Sequence, residues 1–214
     1  MIDLSPLAGL RLRTPRLELR WPGEEELVAL AHVAERGVHP PEEMPFLVPW
    51  TDGIGGPSFV DDFVAYHLSL RRDWTPAAWA LELAVWAEGG PAGCQGVTGT
   101  DFRRERRVVT GSWLGRAFQR RGYGTEMRAA VLELSFGGLG ALAAESGALD
   151  GNLASERVSA KLGYVLAGEA TRSPRGEPVR ERLFRLDRAR RRLPPRPPVE
   201  IVGLDACLPL FGLA

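Results

Sequence analysis

The sequence predicts a mixed α/β domain with a largely antiparallel sheet. Short segments of alternating apolar and polar residues indicate strands, and longer segments with apolar residues three and four apart indicate amphipathic helices. Their order is strand–helix, then helix–strand–strand–strand, then helix–strand–helix–strand–strand. Such an order, with several consecutive strands, is typical of a mixed sheet flanked by helices.

In the first third of the chain, residues 11–21 alternate around three leucines and predict a strand. A Pro-Gly pair follows, and residues 24–36 predict a helix whose three glutamates in the first turn suit the positive end of its dipole. Residues 37–58 are rich in proline and glycine and predict a long irregular loop, of the kind that often serves as a lid or binding loop. Residues 59–72 predict a second helix.

The remaining elements follow with shorter connections. Residues 79–86 and 95–102 flank a turn-rich segment and predict a hairpin, followed by a strand at 107–114. An amphipathic helix is expected at 124–136, a strand at 141–149, a helix at 152–162 and final strands at 164–168 and 180–186. Asn152 is the expected N-cap of its helix, which Gly163 closes.

Composition excludes several classes of function. The 214 residues carry 27 basic and 27 acidic side chains, and this balance argues against non-specific binding to nucleic acid or to an anionic membrane. The two cysteines are too few for a disulfide framework, the three histidines show no ligand spacing, and we expect no metal. Without a long apolar run or a secretion signal, the expected location is cytoplasmic.

The strongest local signal lies between a predicted strand and a predicted helix. Two glycines, one residue apart, let backbone N–H groups approach an anion closely, and the positive end of the following helix adds to the attraction. The segment is therefore a candidate pyrophosphate cradle, formed by Gln119, Arg120, Arg121, Gly122, Tyr123, Gly124 and Thr125. A glycine-rich turn without a ligand is the alternative interpretation.

A second motif follows one strand later, where residues 152–164 read Asn-x-x-Ser-x-x-Val-x-x-Lys-Leu-Gly-Tyr. Together with Gln-x-x-Gly-x-Gly at 119–124, it resembles the GNAT superfamily of acyl-CoA-dependent N-acetyltransferases, and most closely the branch of ribosomal-protein N-terminal acetyltransferases. The LRTPRLELR opening, the TGSWL strand and the LFRL ending fit the same pattern. The resemblance implies a GNAT-like twisted sheet in a domain at 8–187. After it, the composition of residues 188–214 predicts an Arg/Pro linker and an apolar C-terminal tail.

The resemblance also implies a role for each matched position. Backbone amides of the 119–125 loop would hold the pyrophosphate of acetyl-CoA. The strand end at Trp113 and Leu114 would pair with the pantetheine arm and polarise the thioester carbonyl. Asn152 would bond the same region, and Ser155 is the first candidate for protonating the leaving thiolate. Ser159 is the second candidate, because many members carry Tyr at its position; plain helix surface is the alternative for both serines.

An amine acceptor must lose a proton before it attacks, and a carboxylate can accept that proton. Many relatives place a glutamate on the strand before the phosphate loop, but residues 108–111 here read Val-Val-Thr-Gly. Glu82 on the predicted 79–86 strand is the first candidate base and Asp101 the second. A solvent-facing strand residue without a catalytic role is the alternative interpretation of either one.

The acceptor pocket is expected under the 37–58 loop, with an acidic rim that attracts a cationic amine and an apolar wall. The rim would consist of Glu42, Glu43, Asp52, Asp61 and Asp62, and the wall of Phe46, Pro49 and Trp50. A solvated face without a ligand is the alternative for these acids.

The expected reaction is direct acetyl transfer from acetyl-CoA to a primary amine, in a small molecule or a peptide. Three alternatives stay open: a longer donor such as succinyl-CoA, a CoA-binding sensor or assembly module without catalysis, and a tail that forms a homodimer interface or covers the acceptor site.

Overall fold

A computed structural model describes residues 2–190 and 198–213, and its centre is a single mixed sheet. The sheet has nine strands in the order β7-β8-β6-β5-β4-β3-β2-β1-β9. The pair β5–β6 is parallel, and the other pairs of the described strands are antiparallel. The strands are β1 (Arg11–Arg13), β2 (Leu17–Arg20), β3 (Ala78–Ala87), β4 (Gly90–Thr100), β5 (Arg107–Leu114), β6 (Ala143–Leu149), β7 (Val165–Arg172), β8 (Val179–Asp187) and β9 (Glu200–Val202).

Helices cover both faces of this sheet. On one face, α1 (Glu24–Glu35) and α2 (Phe59–Arg72) pack over β3 and β4 around buried leucines, alanines and phenylalanines. On the other face, α4 (Tyr123–Glu133) and α5 (Leu153–Lys161) pack over β5 and β6 and close the larger core. A single helical turn, α3 (Phe102–Glu105), joins β4 to β5. The predicted fold class is confirmed.

The helix at 59–72 and the strand at 107–114 coincide with their predicted bounds. The predicted hairpin is present, but β4 begins at Gly90, so its turn is shorter than the glycine-rich composition suggests. Phe102, the predicted end of that strand, instead begins α3 and buries its ring fully in the core. The predicted 124–136 helix ends as α4 at Glu133 and continues into a π-helical turn, Leu134–Gly138.

The C-terminal tail packs on the body of the protein. Its strand β9 pairs with β1 at the sheet edge, and a 3₁₀ segment, Asp205–Phe211, buries Phe211 completely. Part of the predicted Arg/Pro linker, residues 191–197, lies outside the described residues. In the described part of the chain, no helix is long and apolar enough to cross a bilayer.

Candidate active site

A cleft opens in the sheet where its two parallel strands separate. β5 and β6 pair only from Arg107↔Ala143 to Val109↔Glu145, although β5 continues to Leu114 and β6 to Leu149. Beyond Val109, every second amide of β5 faces this opening, because backbone groups alternate in direction along a strand. A cavity of about 520 Å³ occupies the opening, bounded by β4, β5, β6, α4, α5 and the loop after α1. An extended arm can therefore pair with β5 in the position of a missing strand.

The 119–125 loop lies at one end of this cleft and leads into α4. Gly122 is the N-cap of α4 with φ of +85°, a left-handed conformation that favours glycine. The Gln119 side chain does not extend toward a ligand; its Nε2 donates to Val38 O at 2.6 Å and Leu114 O at 2.8 Å. Gln119 thus fixes the loop against the end of β5. Thr125 N and Glu126 N both donate to Gly122 O at 3.2 Å, so the amides of Tyr123 and Gly124, the first two positions of α4, are the ones suited to an anion.

Two side chains of the loop, Arg121 and Tyr123, are held by hydrogen bonds to Glu88, and Arg120 is exposed to solvent. Arg121 Nη1 donates to Glu88 Oε1 at 2.7 Å, and the Tyr123 hydroxyl donates to the same oxygen at 2.8 Å. The Glu88 carboxylate raises the pKa of Tyr123 through this bond. Arg120 is exposed, at the adjacent position, with φ of +60°. Arg120 is the better placed of the two arginines for a bound anion.

Substituting Gly122 with valine is expected to weaken CoA binding by roughly 1–3 kcal/mol, the scale of leaving charged groups without partners. A Cβ at this position has an unfavourable φ and lies 3.2 Å from Arg16 Nη2. Calorimetric titration with CoA measures the effect, and Gly89→Val, at another positive-φ glycine with open space around it, controls for backbone strain. Equal affinity of the Gly122 variant and the wild type would place the pyrophosphate elsewhere.

The second motif forms the opposite side of the cleft mouth. Asn152 is the N-cap of α5, as predicted: its Oδ1 accepts from Ser155 N at 3.1 Å. Its Nδ2 lies 3.4 Å from Pro45 O, so the side chain also holds the loop after α1. Ser155 lines the cleft, whereas Ser159 is fully buried behind it, 3.4 Å from Arg128. Of the two predicted acids, the structure therefore brings only Ser155 to the cavity.

Sequence reasoning missed Arg128. This side chain is 3% exposed and lies beneath the opening, with its guanidinium donating to serine hydroxyls on both separated strands. A signal was present, because Arg128 lies three residues before Val131, on the apolar face of its predicted helix. A cation on that face is unexpected unless the core provides polar partners.

The other face of the sheet carries a row of glycines between two acids. Glu82 on β3 is opposite Gly96 on β4, which is opposite Gly111 on β5. A Cβ on Gly96 would lie 2.9 Å from Glu82 Cδ, and one on Gly147 of β6 would lie 2.9 Å from Glu181 Cδ. Glycine at these positions thus makes room for two carboxylates over the sheet, with the cleft between them. Glu181 was not anticipated from the sequence; it is buried and paired with Arg172 at 2.8 Å.

The environment of Glu82 suits proton transfer. Burial raises the pKa of Glu82 to about 7, although a hydrogen bond from the Cys94 thiol, 3.2 Å from Oε2, partly opposes this effect. Burial and the nearby Glu82 raise the pKa of Cys94 well above its ordinary value, so this thiol stays protonated. Asp101, the second predicted base, is exposed at the far end of β4 and does not line the cleft.

The 37–58 loop contributes less charge than its composition suggests. Glu43 reaches the cleft, but Asp52 is paired with Arg175 of the β7–β8 turn, and this partner lowers its pKa. The aromatic residues are better placed: Phe46 lines the cleft, and Trp50 lies between it and Trp113, with ring centroids 5.3 and 5.5 Å apart. The acids that face the cavity are thus supplied mainly by the sheet.

Comparison with known families decides the assignment. Residues 16–165 match the acetyltransferase (GNAT) domain family, and this match spans both motifs. The chain belongs to the GNAT acetyltransferase family. The resemblance and the enzyme class predicted from the two motifs are therefore confirmed.

Solved GNAT structures share the fold at low sequence identity. One is Mycobacterium smegmatis RimJ in complex with CoA-disulfide, with 16% identity, 86% of this chain and 90% of that chain covered, and a TM-score of 0.65. Another is the ribosomal-protein-S5-alanine acetyltransferase from Vibrio fischeri, at 15% identity, 83% and 96% coverage and a TM-score of 0.62. A third is the microcin C7 self-immunity acetyltransferase MccE in complex with acetyl-CoA and AMP, at 17% identity, 81% and 93% coverage and a TM-score of 0.62.

Among residues 2–190 and 198–213, no three histidine, cysteine, aspartate or glutamate side chains are grouped as a metal ion would require.

Proposed function

We propose that the protein transfers the acetyl group of acetyl-CoA to a primary amine, by direct attack within a complex of donor and acceptor. The observation that carries this proposal is the unpaired edge of β5. The glycine-rich N-terminus of α4 lies at one end of this edge, and Glu82, with a pKa of about 7, lies on the sheet face at the other. One end of the cleft suits a pyrophosphate and the other suits proton transfer.

The residues of the chain have distinct tasks in this scheme. Amides at the start of α4 hold the pyrophosphate, and Trp113 and Leu114 of β5 pair with the pantetheine arm and polarise the thioester carbonyl. Glu82, a positioned carboxylate with a pKa near neutral, accepts the proton that the amine loses. Ser155, which lines the cleft, donates a hydrogen bond or proton to the departing sulfur.

The acceptor approaches from the face that carries Glu82 and Glu181. The two carboxylates lie over Gly96 and Gly147, and the position above Gly111 is open: no described heavy atom lies within 4 Å of a Cβ there. A slender cationic amine, in a small molecule or at a peptide N-terminus, fits an acid-flanked surface of this kind.

The test is a calorimetric titration with acetyl-CoA, CoA and succinyl-CoA, followed by an acetylation assay on a panel of small amines and peptides. The proposal predicts micromolar binding that favours acetyl-CoA and turnover of at least one amine. Preference for succinyl-CoA would redirect the search to longer acyl groups. Binding of CoA without turnover of any amine would favour the sensor alternative, and no binding would contradict the proposal.

Replacing Ser155 with alanine is expected to lower kcat about 10- to 100-fold, with little effect on donor affinity, because its hydroxyl acts on the leaving group. Its amide, not its hydroxyl, bonds the Asn152 cap, so the helix should persist. Steady-state kinetics and CoA titration separate the two effects, and Ser173→Ala in the β7–β8 turn is the control. An unchanged kcat would remove Ser155 from the mechanism.

A further inference from the structure

Arg128 is a buried cation, and among the described residues no carboxylate pairs with it. Its Nη1 donates to Ser146 Oγ at 2.9 Å and lies 3.4 Å from Ser159 Oγ, and its Nη2 donates to Ser112 Oγ at 3.2 Å. Its Nε is buried with no hydrogen-bond partner in the described structure. The ion pairs of the described residues do not include Arg128. Neutral hydroxyls compensate a buried charge poorly, so this environment is suited to receive an anion.

The guanidinium of Arg128 borders the cleft between β5 and β6. Ser112 is on β5 and Ser146 on β6, both beyond the last paired residues, so Arg128 extends across the opening between the strands. Arg128 itself lines the cavity. A group that inserts between β5 and β6 beside Ser112 and Ser146 therefore lies next to this guanidinium.

Arg128 and Glu82 lie on opposite faces of the sheet. Gly111 is paired with Gly96, on the face of Glu82, and the next residue, Ser112, points to the opposite face, toward α4. A donor held at the N-terminus of α4 reaches the opening from the α4 side, whereas an amine beside Glu82 attacks from the other side. The sulfur, which joins the acyl group to the arm, then lies on the side of Arg128.

We propose that Arg128 stabilises the CoA thiolate as it leaves, an inference that rests on the proposed function. The amine nitrogen forms a bond to the thioester carbon, the carbon–sulfur bond breaks, and its electron pair stays on sulfur. The amine proton passes to Glu82, so the guanidinium supplies charge and transfers no proton. Its action precedes any later protonation of the thiolate by Ser155 or water.

The test measures the thiol pKa of CoA in its complex with the protein, from the ultraviolet absorbance of the thiolate as the pH is raised. A neighbouring guanidinium favours the thiolate, so we expect a bound thiol pKa at least about one unit below that of free CoA. Arg128→Met should return it to the free value, and Arg128→Lys should give an intermediate one. Burial raises the pKa of Cys94 and of Cys207, so both protein thiols titrate later and a titration without CoA subtracts them.

Arg107→Met is the matched control. Arg107 is a cation on the same strand, but it is half-exposed and paired with Glu145 at 2.9 Å outside the cavity, so its loss should leave the bound thiol unshifted relative to wild type. In the acetylation assay, Arg128→Met should lower kcat about tenfold or more with little change in the KM for acetyl-CoA.

Each contrary result has a distinct meaning. A wild-type thiol pKa equal to that of free CoA overturns the inference while leaving CoA binding intact, and it does so even if Arg128→Met fails to fold. The inference is also overturned if the bound thiol has the pKa of free CoA and the wild type prefers succinyl-CoA, a preference that disappears in Arg128→Met. The guanidinium would then bind an acyl carboxylate. Failure of CoA to bind the wild type overturns both this inference and the proposed function.

Discussion

Replacing Glu82 with glutamine is expected to lower kcat by about two to four orders of magnitude, the usual contribution of a positioned general base. In the wild type, only the deprotonated carboxylate accepts a proton. The rate should therefore rise with pH and level off above the Glu82 pKa of about 7. The variant should lose this step in the pH profile, which is measured as kcat/KM for a reactive amine across the neutral range.

Asp101→Asn is the matched control, since it removes the competing candidate base. Asp101 is exposed and outside the cavity, so the pH profile of this variant should follow the wild type. A neutral step that survives in Glu82→Gln and disappears in Asp101→Asn would reverse the assignment.

Glu82→Gln should also stabilise the folded protein above neutral pH. The pKa of Glu82 is higher in the folded protein, at about 7, than its ordinary value of 4.5. The folded state thus holds this proton more firmly, and the stability that protonation contributes is lost as the pH rises from about 4.5 through about 7. Glutamine avoids this loss, so its free energy of unfolding should exceed that of wild type by up to about 3 kcal/mol at high pH and match it in acid. Denaturant titration at both pH values measures the difference.

Local patterns in the sequence were sufficient for most of the elements and for placing the 119–125 loop between β5 and α4. α2 and β5 have clear periodicity, and Gly122 and Gly124 mark the loop because their lack of a Cβ has a direct physical use. Asn152 was recognisable as an N-cap for the same reason: its role is local in sequence.

The sheet face proposed for the acceptor was harder to predict, because it depends on register between distant strands. Glu82 is the only acid in the predicted 79–86 strand, but the room that Gly96 and Gly147 leave for Glu82 and Glu181 exists only after β3, β4, β6 and β8 are aligned. Asp52 was expected in the acidic rim, and its pairing with Arg175, 123 residues away, has no local signal. Composition thus indicated the charge of the loop correctly but not which acids face the cleft.

The C-terminal tail contributes a buried aromatic ring to the core. Phe211 is fully buried, its ring centroid 4.8 Å from that of Trp79 and 5.7 Å from that of Trp74. The Trp74 indole donates to Leu210 O at 2.9 Å, so the tail supplies both a ring and a polar partner to the core. Truncating a buried phenylalanine to alanine removes its transfer free energy and leaves a cavity.

Phe211→Ala is therefore expected to lower the free energy of unfolding by about 3–5 kcal/mol, and Phe211→Leu, which retains most of the volume, by much less. Denaturant titration measures both. Phe211 does not line the cleft, so the affinity for CoA and the oligomeric mass should not change at temperatures where the variant is folded. Unchanged stability with a loss of CoA affinity would mean that the tail acts on the donor site instead of the core. A change in mass would assign the tail to an interface between copies, because removing one buried ring from a core contact alters stability and not assembly.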